Sequence, residues 1–394
     1  MSIQLSQRVQ TVKPSPTLAL TALANEMKAA GRDVIGLSAG EPDFDTPRHI
    51  KEAAVAALNK GYTRYTPVDG IPALKKAIVN KFAQENQLDY TLKQVMVSCG
   101  AKHTIYNAMQ ALLNPGDEVI IPAPYWVSYP DMVALAGGHS VIVNTTLQQG
   151  FKMTPKQLDA MITDKTRLII LNSPSNPTGV CYTAAELAEL GAVIRERPKR
   201  IMVLTDDVYE HIMWTEEPFK NIVNVCPELY DRTLVVNAVS KSYAMTGWRI
   251  GYAAGPEPLI QAMTIIQSQS TSNPTSIAQH ATVAALEGDQ SFISEMVKAF
   301  KERHDFVLKA LLEIQGVECL PCQGTFYIFP SFQGVMDRLG FKTDNDLGQF
   351  LIEKAEVVVV PGSGFGAPGY VRISFATSMD NLQKAMERLQ KTLS

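Results

Sequence analysis

Short apolar, β-rich runs alternate with longer stretches of helical periodicity along most of this chain, and that alternation leaves few folds open. Val95–Ser98, Glu118–Pro122, His139–Asn144, Thr166–Asn172, Ile201–Asp206, Thr233–Asn237 and Gly251–Ala254 read as strands. Between several of them Ala101–Leu113, Tyr125–Ala136 and Thr183–Arg197 repeat apolar residues at helical spacing. Strands that are apolar throughout need cover on both faces, and intervening helices provide it. The expected architecture is α/β, a large domain with a mostly parallel seven-stranded sheet covered by helices. Such sheets bind ligands at the carboxyl ends of their strands. Asn176, Asp206 and Lys241 each lie just past such an end, so one pocket could collect all three.

The pattern changes near Glu287-Gly288-Asp289. A long helix is predicted over Asp289–Gln315, with short strands near Val317–Leu320, Thr325–Pro330, Val357–Val360 and Tyr370–Phe375. Helices are predicted at Thr343–Ala355 and Ser378–Leu393, which makes a smaller α+β domain. Gly362-Ser-Gly364-Phe-Gly366 has the glycines of a dinucleotide loop but does not open a βαβ unit, so it reads as a turn between strands.

Composition narrows the function. A net charge of −3, with no basic cluster, argues against a nucleic-acid surface. No apolar run approaches the roughly 20 residues that span a bilayer. Met1-Ser-Ile-Gln-Leu-Ser-Gln-Arg8 lacks the apolar core of a signal peptide, so a cytoplasmic location is expected. The five cysteines, at 99, 181, 226, 319 and 322, are too sparse for a disulfide framework. Cys319 and Cys322 form a lone C-x-x-C without the second ligand pair that zinc needs, and no metal is expected.

Lys241 is the chemical centre of the sequence. It lies in Ser240-Lys241-Ser242-Tyr243-Ala244-Met245-Thr246-Gly247-Trp248-Arg249-Ile250-Gly251, directly after an apolar strand. Poor solvation there disfavours an ammonium and suits an amine that must form a Schiff base. Arg249 offers a cation able to grip a phosphate in bidentate fashion. Amine and phosphate anchor together suggest pyridoxal 5'-phosphate (PLP). Val97-Ser-Cys99-Gly100-Ala101-Lys102 reads as strand, tight turn and helix start, whose free amides bind anions. Arg372 is a lone cation in the otherwise apolar Tyr370–Phe375, which is costly unless it meets an anion: a substrate carboxylate or a structural ion pair.

The motifs SPSNPTG around Asn176, TDDVY around Asp206, and SKSYAMTGWRIGY around Lys241 occur in that order. With them the chain resembles the class I aminotransferases of the aspartate aminotransferase family, PLP enzymes of fold type I, and within it the bacterial and plant subgroup. The resemblance runs from about Val9 to the C-terminal helix. It implies that residues 1–45 pack with a small domain of residues 289–394, leaving 46–288 as the PLP-binding domain. Lys241 would hold the cofactor as an imine and shuttle a proton. Asp206 rather than Asp207 would pair with the pyridine nitrogen; Asp207 would be a solvated or helix-starting acid. Asn176 and Tyr209 would bond the phenolic oxygen, and Trp126 would stack on the ring. Gly100, Ala101, Lys102 and Arg249 would hold the phosphate, and Tyr65 would reach the phosphate of a neighbouring subunit in a homodimer. The family often has Ser or Gly three residues before the lysine; here Ala238 stands there, and Ser240 is the candidate substitute.

The same resemblance places Arg372, Asn176 and the Gly40 backbone on the α-carboxylate of the substrate. Lys102 would meet the distal carboxylate of a dicarboxylic substrate, with Lys13 as a further cation. The implied reaction moves an amino group between aspartate and 2-oxoglutarate. Prephenate, aromatic amino acids, alanine or kynurenine are alternative substrates, and PLP lyase chemistry is a further alternative, because fold does not fix reaction.

Overall fold

The computed structural model describes residues 3–12 and 16–394. Its twelve strands among these residues are β1 (Ile35–Gly36), β2 (Val95–Ser98), β3 (Glu118–Ala123), β4 (His139–Asn144), β5 (Thr166–Asn172), β6 (Met202–Asp206), β7 (Thr233–Ala238), β8 (Gly251–Ala254), β9 (Tyr327–Ile328), β10 (Val357–Val358), β11 (Val360–Pro361) and β12 (Val371–Ser374). β2 to β8 form a seven-stranded sheet in the order β2-β8-β7-β6-β5-β3-β4. Every pairing is parallel except those of β8, which runs against both β2 and β7. Because β8 returns beside β7, the connection between them stays at the carboxyl end of β7. That connection carries Lys241 and Arg249.

Side chains alternate between two cores, as pleating requires. Val203 of β6 and Val235 of β7 join Phe82, Leu187 and Leu190 on one face. Leu204, Leu234 and Val236 join Ile105, Met109 and Leu168 on the other. Each fully buried aliphatic side chain contributes about 1.5–3 kcal/mol, so double cover holds the strand ends firmly in place.

The smaller α+β unit is built from both chain ends. β1 pairs in parallel with β10, while β11, β12 and β9 form a three-stranded antiparallel sheet. Its core gathers Ile35 and Leu37 with Phe300, Val307 and Leu311 of the helix Ser291–Leu312 and with Ile373, Leu382 and Leu389. Two local expectations need correction. Val317–Leu320 forms no strand: only Glu318 pairs, through an isolated bridge to Ser331, and Pro321 brings no N–H to extend a ladder. Val357–Val360 is split, with Val357–Val358 paired to β1 and Val360–Pro361 paired to β12. Gly362–Phe365 forms a short 3-10 turn between β11 and β12. Among the described residues no helix is long and apolar enough to cross a membrane.

Candidate functional site

A cavity of about 440 Å³ opens at the carboxyl ends of β5, β6 and β7, facing the smaller unit. Gly40, Ala101, Lys102, Trp126, Asn176, Asp206, Tyr209, Ser240, Lys241, Arg249 and Arg372 all line it. The sheet register explains part of this convergence. Asn172 and Asp206, the last residues of β5 and β6, stand side by side, and Asp206 stands beside Val236, two residues before the end of β7.

Lys241 Nζ donates to the carbonyl of Gly40, tying the β7–β8 connection to the N-terminal segment. Part of the residue reaches solvent, but its amino group is buried. Burial, then the nearby Arg372 charge, lowers its pKa to about 8. The rings of Tyr209 and Phe326 lie 6.0 and 5.9 Å from Nζ.

Asp206 is buried at the end of β6. Its Oδ2 accepts a 2.6 Å hydrogen bond from the Tyr129 hydroxyl, and Oδ1 accepts one of 3.3 Å from the Val208 amide. Burial raises its pKa, opposed chiefly by the Tyr129 bond. Asp207 corrects the sequence reading, since it is neither solvated nor at a helix start. It is 1% exposed, accepts from Thr205 Oγ1 at 2.5 Å and Asn221 Nδ2 at 2.9 Å, and does not line the cavity. Alternation along the chain sends adjacent acids to different surroundings.

The helix Ala101–Leu112 starts at the cavity edge, capped by Gly100 with φ +86°. A side chain at Gly100 would collide with the Arg249 guanidinium, and one at Gly251 would collide with the Ala101 amide. Two glycines thus let cation and helix start meet. Arg249 itself adopts φ +57°, and its Nη1 donates to the Thr246 carbonyl at 2.8 Å. The first amides of a helix have no intrahelical acceptor, so with Arg249 they could hold a phosphate group. Ser240 lines this cavity, whereas Ala238 is packed into the core of the smaller unit.

Arg372 on β12 is 3% exposed. Nη1 donates to Asn176 Oδ1 and Nη2 to the Ser38 carbonyl, each at 3.0 Å, while Nε has no partner. Tyr327 and Phe365 flank it, with ring centroids 4.3 and 5.0 Å away. No carboxylate among the described residues pairs with it, which removes the structural ion pair as an explanation. Across the cavity, Lys102 Nζ lies 5.0 Å from the Trp126 ring. Lost hydration, then Arg249, lowers the Lys102 pKa.

Tyr65 lies elsewhere: it is 91% exposed and does not line this cavity. Lys13 lies outside the described residues. Sequence reasoning missed three contributors. Tyr129 follows Trp126 by three residues, a helical spacing that could have signalled it. Tyr327 lines the cavity and its hydroxyl lies 3.2 Å from that of Tyr209. Glu41 accepts from Thr246 Oγ1 at 2.8 Å. The C-x-x-C thiols are free, and burial pushes Cys319 up to about 12 and Cys322 well above its ordinary value, which suppresses thiolate chemistry.

Residues 32–389 match the family described as aminotransferase class I and II. An aspartate/prephenate aminotransferase from Nitrosomonas europaea is 53% identical, with 100% of each chain covered. The solved aspartate aminotransferase from Rhizobium meliloti superposes with a TM-score of 0.95 at 46% identity, covering 100% of this chain and 99% of that one. An aspartate aminotransferase from Thermus thermophilus, described with maleate, gives 0.93 at 42% identity over 99% and 100% of the two chains.

Proposed function

The chain belongs to the class I and II aminotransferases, and from that premise we propose that it moves the amino group of aspartate to 2-oxoglutarate with PLP as its cofactor. The observation that carries the substrate reading is Arg372, buried at the cavity without an anionic partner, with Lys102 across from it. Two cations suit the two carboxylates of a dicarboxylic amino acid. The names of the relatives, and the maleate described with one of them, support the same class of substrate.

The donor set fits PLP: a buried amine, a buried acid, a helix start with an arginine, and an aromatic wall. When bound, PLP supplies the carbonyl that receives the amino group and a ring that draws electrons from the substrate Cα. Lys241 would attach it and would be the base that takes the proton from the substrate Cα. Asp206, held by Tyr129, would keep a proton on the ring nitrogen. Asn176 and Tyr209 would donate to the ring oxygen, and Trp126 would cover the ring. Gly100, Ala101, Lys102 and Arg249 hold the phosphate, with Ser240 beside them. Arg372, Asn176 and the Gly40 backbone orient the α-carboxylate, which sets the Cα–H bond towards Lys241. On this reading residues 1–45 and 289–394 would provide Gly40 and Arg372 for the substrate, and 46–288 would provide the cofactor side together with Lys102 and Asn176.

The active unit on this reading is a homodimer. Tyr65, 91% exposed and remote from its own cavity, would complete the phosphate site of a partner. Mixed dimers of Lys241→Ala and an inactivating Tyr65 variant would then regain activity, and none would return if each chain holds a whole site. Free cysteines fit a cytoplasmic location. The test of substrate class is a panel of amino acids mixed with holoenzyme while visible absorbance is followed. Aspartate and glutamate should discharge the cofactor fastest. Faster discharge by alanine or phenylalanine would refute the acidic reading. The Nitrosomonas relative's name makes prephenate the second acceptor to include.

A further inference from the structure

Behind the turn that carries Asp206 and Tyr209 lies a buried polar cluster, none of whose members lines the cavity. Its hub is Glu210, 4% exposed. Lys81 Nζ, from the helix Pro72–Asn86, donates to Glu210 Oε1 and, at 2.7 Å, to Asn86 Oδ1. Asn86 Nδ2 donates to Glu210 Oε2 at 2.7 Å. Asn237 Nδ2, near the end of β7, donates to Glu210 Oε1 at 2.7 Å, and its Oδ1 accepts the Ala238 amide at 2.7 Å. Burial pushes the Glu210 carboxyl up, but Lys81, His211 and these hydrogen bonds outweigh it, and the pKa lies below its ordinary value.

A buried ion pair is a weak device for stability, since apolar side chains of similar volume often serve as well. What the cluster adds is geometry. One carboxylate joins the helix Pro72–Asn86, the turn after β6 and the end of β7. Asp206 and Tyr209 stand on the second of these segments, and Lys241 follows four residues after Asn237 on the third. Glu85, Glu210 and His211 are also close enough to share a cation, but the Lys81 ammonium already lies among them, 3.5 Å from Glu85 Oε2.

We propose that Glu210, through Lys81, Asn86 and Asn237, is a positioning residue that fixes the Asp206–Tyr209 turn relative to the strand leading to Lys241. The inference rests on the PLP reading above. Its test uses holoenzyme at saturating PLP, with kcat, the KM for aspartate, the visible circular dichroism of the bound cofactor, and Tm measured together. Glu210→Gln should lower kcat about 10- to 100-fold, the scale of a small misplacement of reacting groups, and change the visible circular dichroism. Its KM should stay within about twofold, because Arg372 and Lys102 lie outside the cluster. Adding Lys81→Met removes the buried ammonium, left with Glu85 as its nearest carboxylate at 3.5 Å, so Tm should recover while kcat stays low. Asn237→Ala, which deletes the bond to Glu210 and the one from the Ala238 amide, carries the test if Glu210→Gln does not fold, with a loss of about threefold to tenfold in kcat. Folded variants with wild-type kcat and dichroism, or a kcat that returns with Tm in the double variant, would overturn the positioning role. Wild type that fails to bind PLP would instead sink the functional reading, and this one with it.

Discussion

The sheet side of the cavity and its small-unit side handle charge in opposite ways. On the sheet side Asp206 is bonded by Tyr129 and the Val208 amide, Asp207 by Thr205 and Asn221, and Glu210 by Lys81, Asn86 and Asn237. On the other side Arg372 has only neutral acceptors and an unpartnered Nε. A charge satisfied within the fold is ready to hold a resident group in one orientation. A buried cation without an anion is costly until something anionic arrives. On the proposed reading, Asp206 on the sheet side would serve the cofactor and Arg372 would select the substrate, and mutation can break that contrast.

The largest effect belongs to the sheet side. Lys241→Ala should abolish transamination, by at least about 10⁴-fold, the scale on which loss of a covalent catalytic group is felt, while leaving a folded protein. Borohydride reduction and peptide mapping of wild type should find the label on Lys241; a label on another lysine would overturn the assignment. Asp206→Asn should cost about 10²- to 10³-fold, because an amide cannot hold the ring proton. Asp207→Asn should be much milder, since its partners lie away from the cavity. A larger loss at Asp207 would mean that the two acids are exchanged in role.

Two cations should respond by substrate: Arg372 on the small-unit side and Lys102 across the cavity, on the helix Ala101–Leu112. Arg372→Ala should reduce kcat/KM for every amino donor together, by about 10²- to 10³-fold, as when one partner of a desolvated charge pair is removed. Lys102→Ala should reduce aspartate and glutamate far more than alanine or phenylalanine, by about tenfold or more in the ratio. Its backbone amide at the helix start survives the change, so general loss should stay small. An equal fall for all donors would leave Lys102 as a phosphate ligand only and remove the acidic preference.

How far the sequence revealed this site depended on how locally each part is encoded. β5 and β6 are largely apolar runs that end in the polar Asn172 and Asp206, and β7 is a largely apolar run shortly before Lys241, so the centre of the sheet and Asn176, Asp206 and Lys241 at its end were legible. Arg372 was legible as a lone charge within β12. The two-residue strands of the smaller unit were drawn too long, because their length is set by partners distant in the chain. Tyr327 and the Glu210 cluster were invisible for a related reason. Glu210 meets Lys81 across 129 residues and Tyr327 meets Tyr209 across 118, and no periodicity announces such meetings.

The smallest effect tests the state of Lys241 itself. In the folded protein its pKa is lowered to about 8, chiefly by burial and then by Arg372; in the unfolded chain it should be near the ordinary value of about 10.4. Below about pH 8 both states carry the proton, and the cost of burying the ammonium is fully present. Between about pH 8 and 10.4 the unfolded state binds more protons, so this cost fades as pH rises, and above that range it is gone. Lys241→Met should therefore stabilise the cofactor-free protein at pH 7, by at most about 3 kcal/mol, with the gain shrinking towards zero near pH 10. Thermal melting of wild type and variant at both pH values measures it. A gain that stays constant from pH 7 to 10 would show that the methionine improves packing rather than relieving a buried charge, and that the amine is not held in the state that proton abstraction requires.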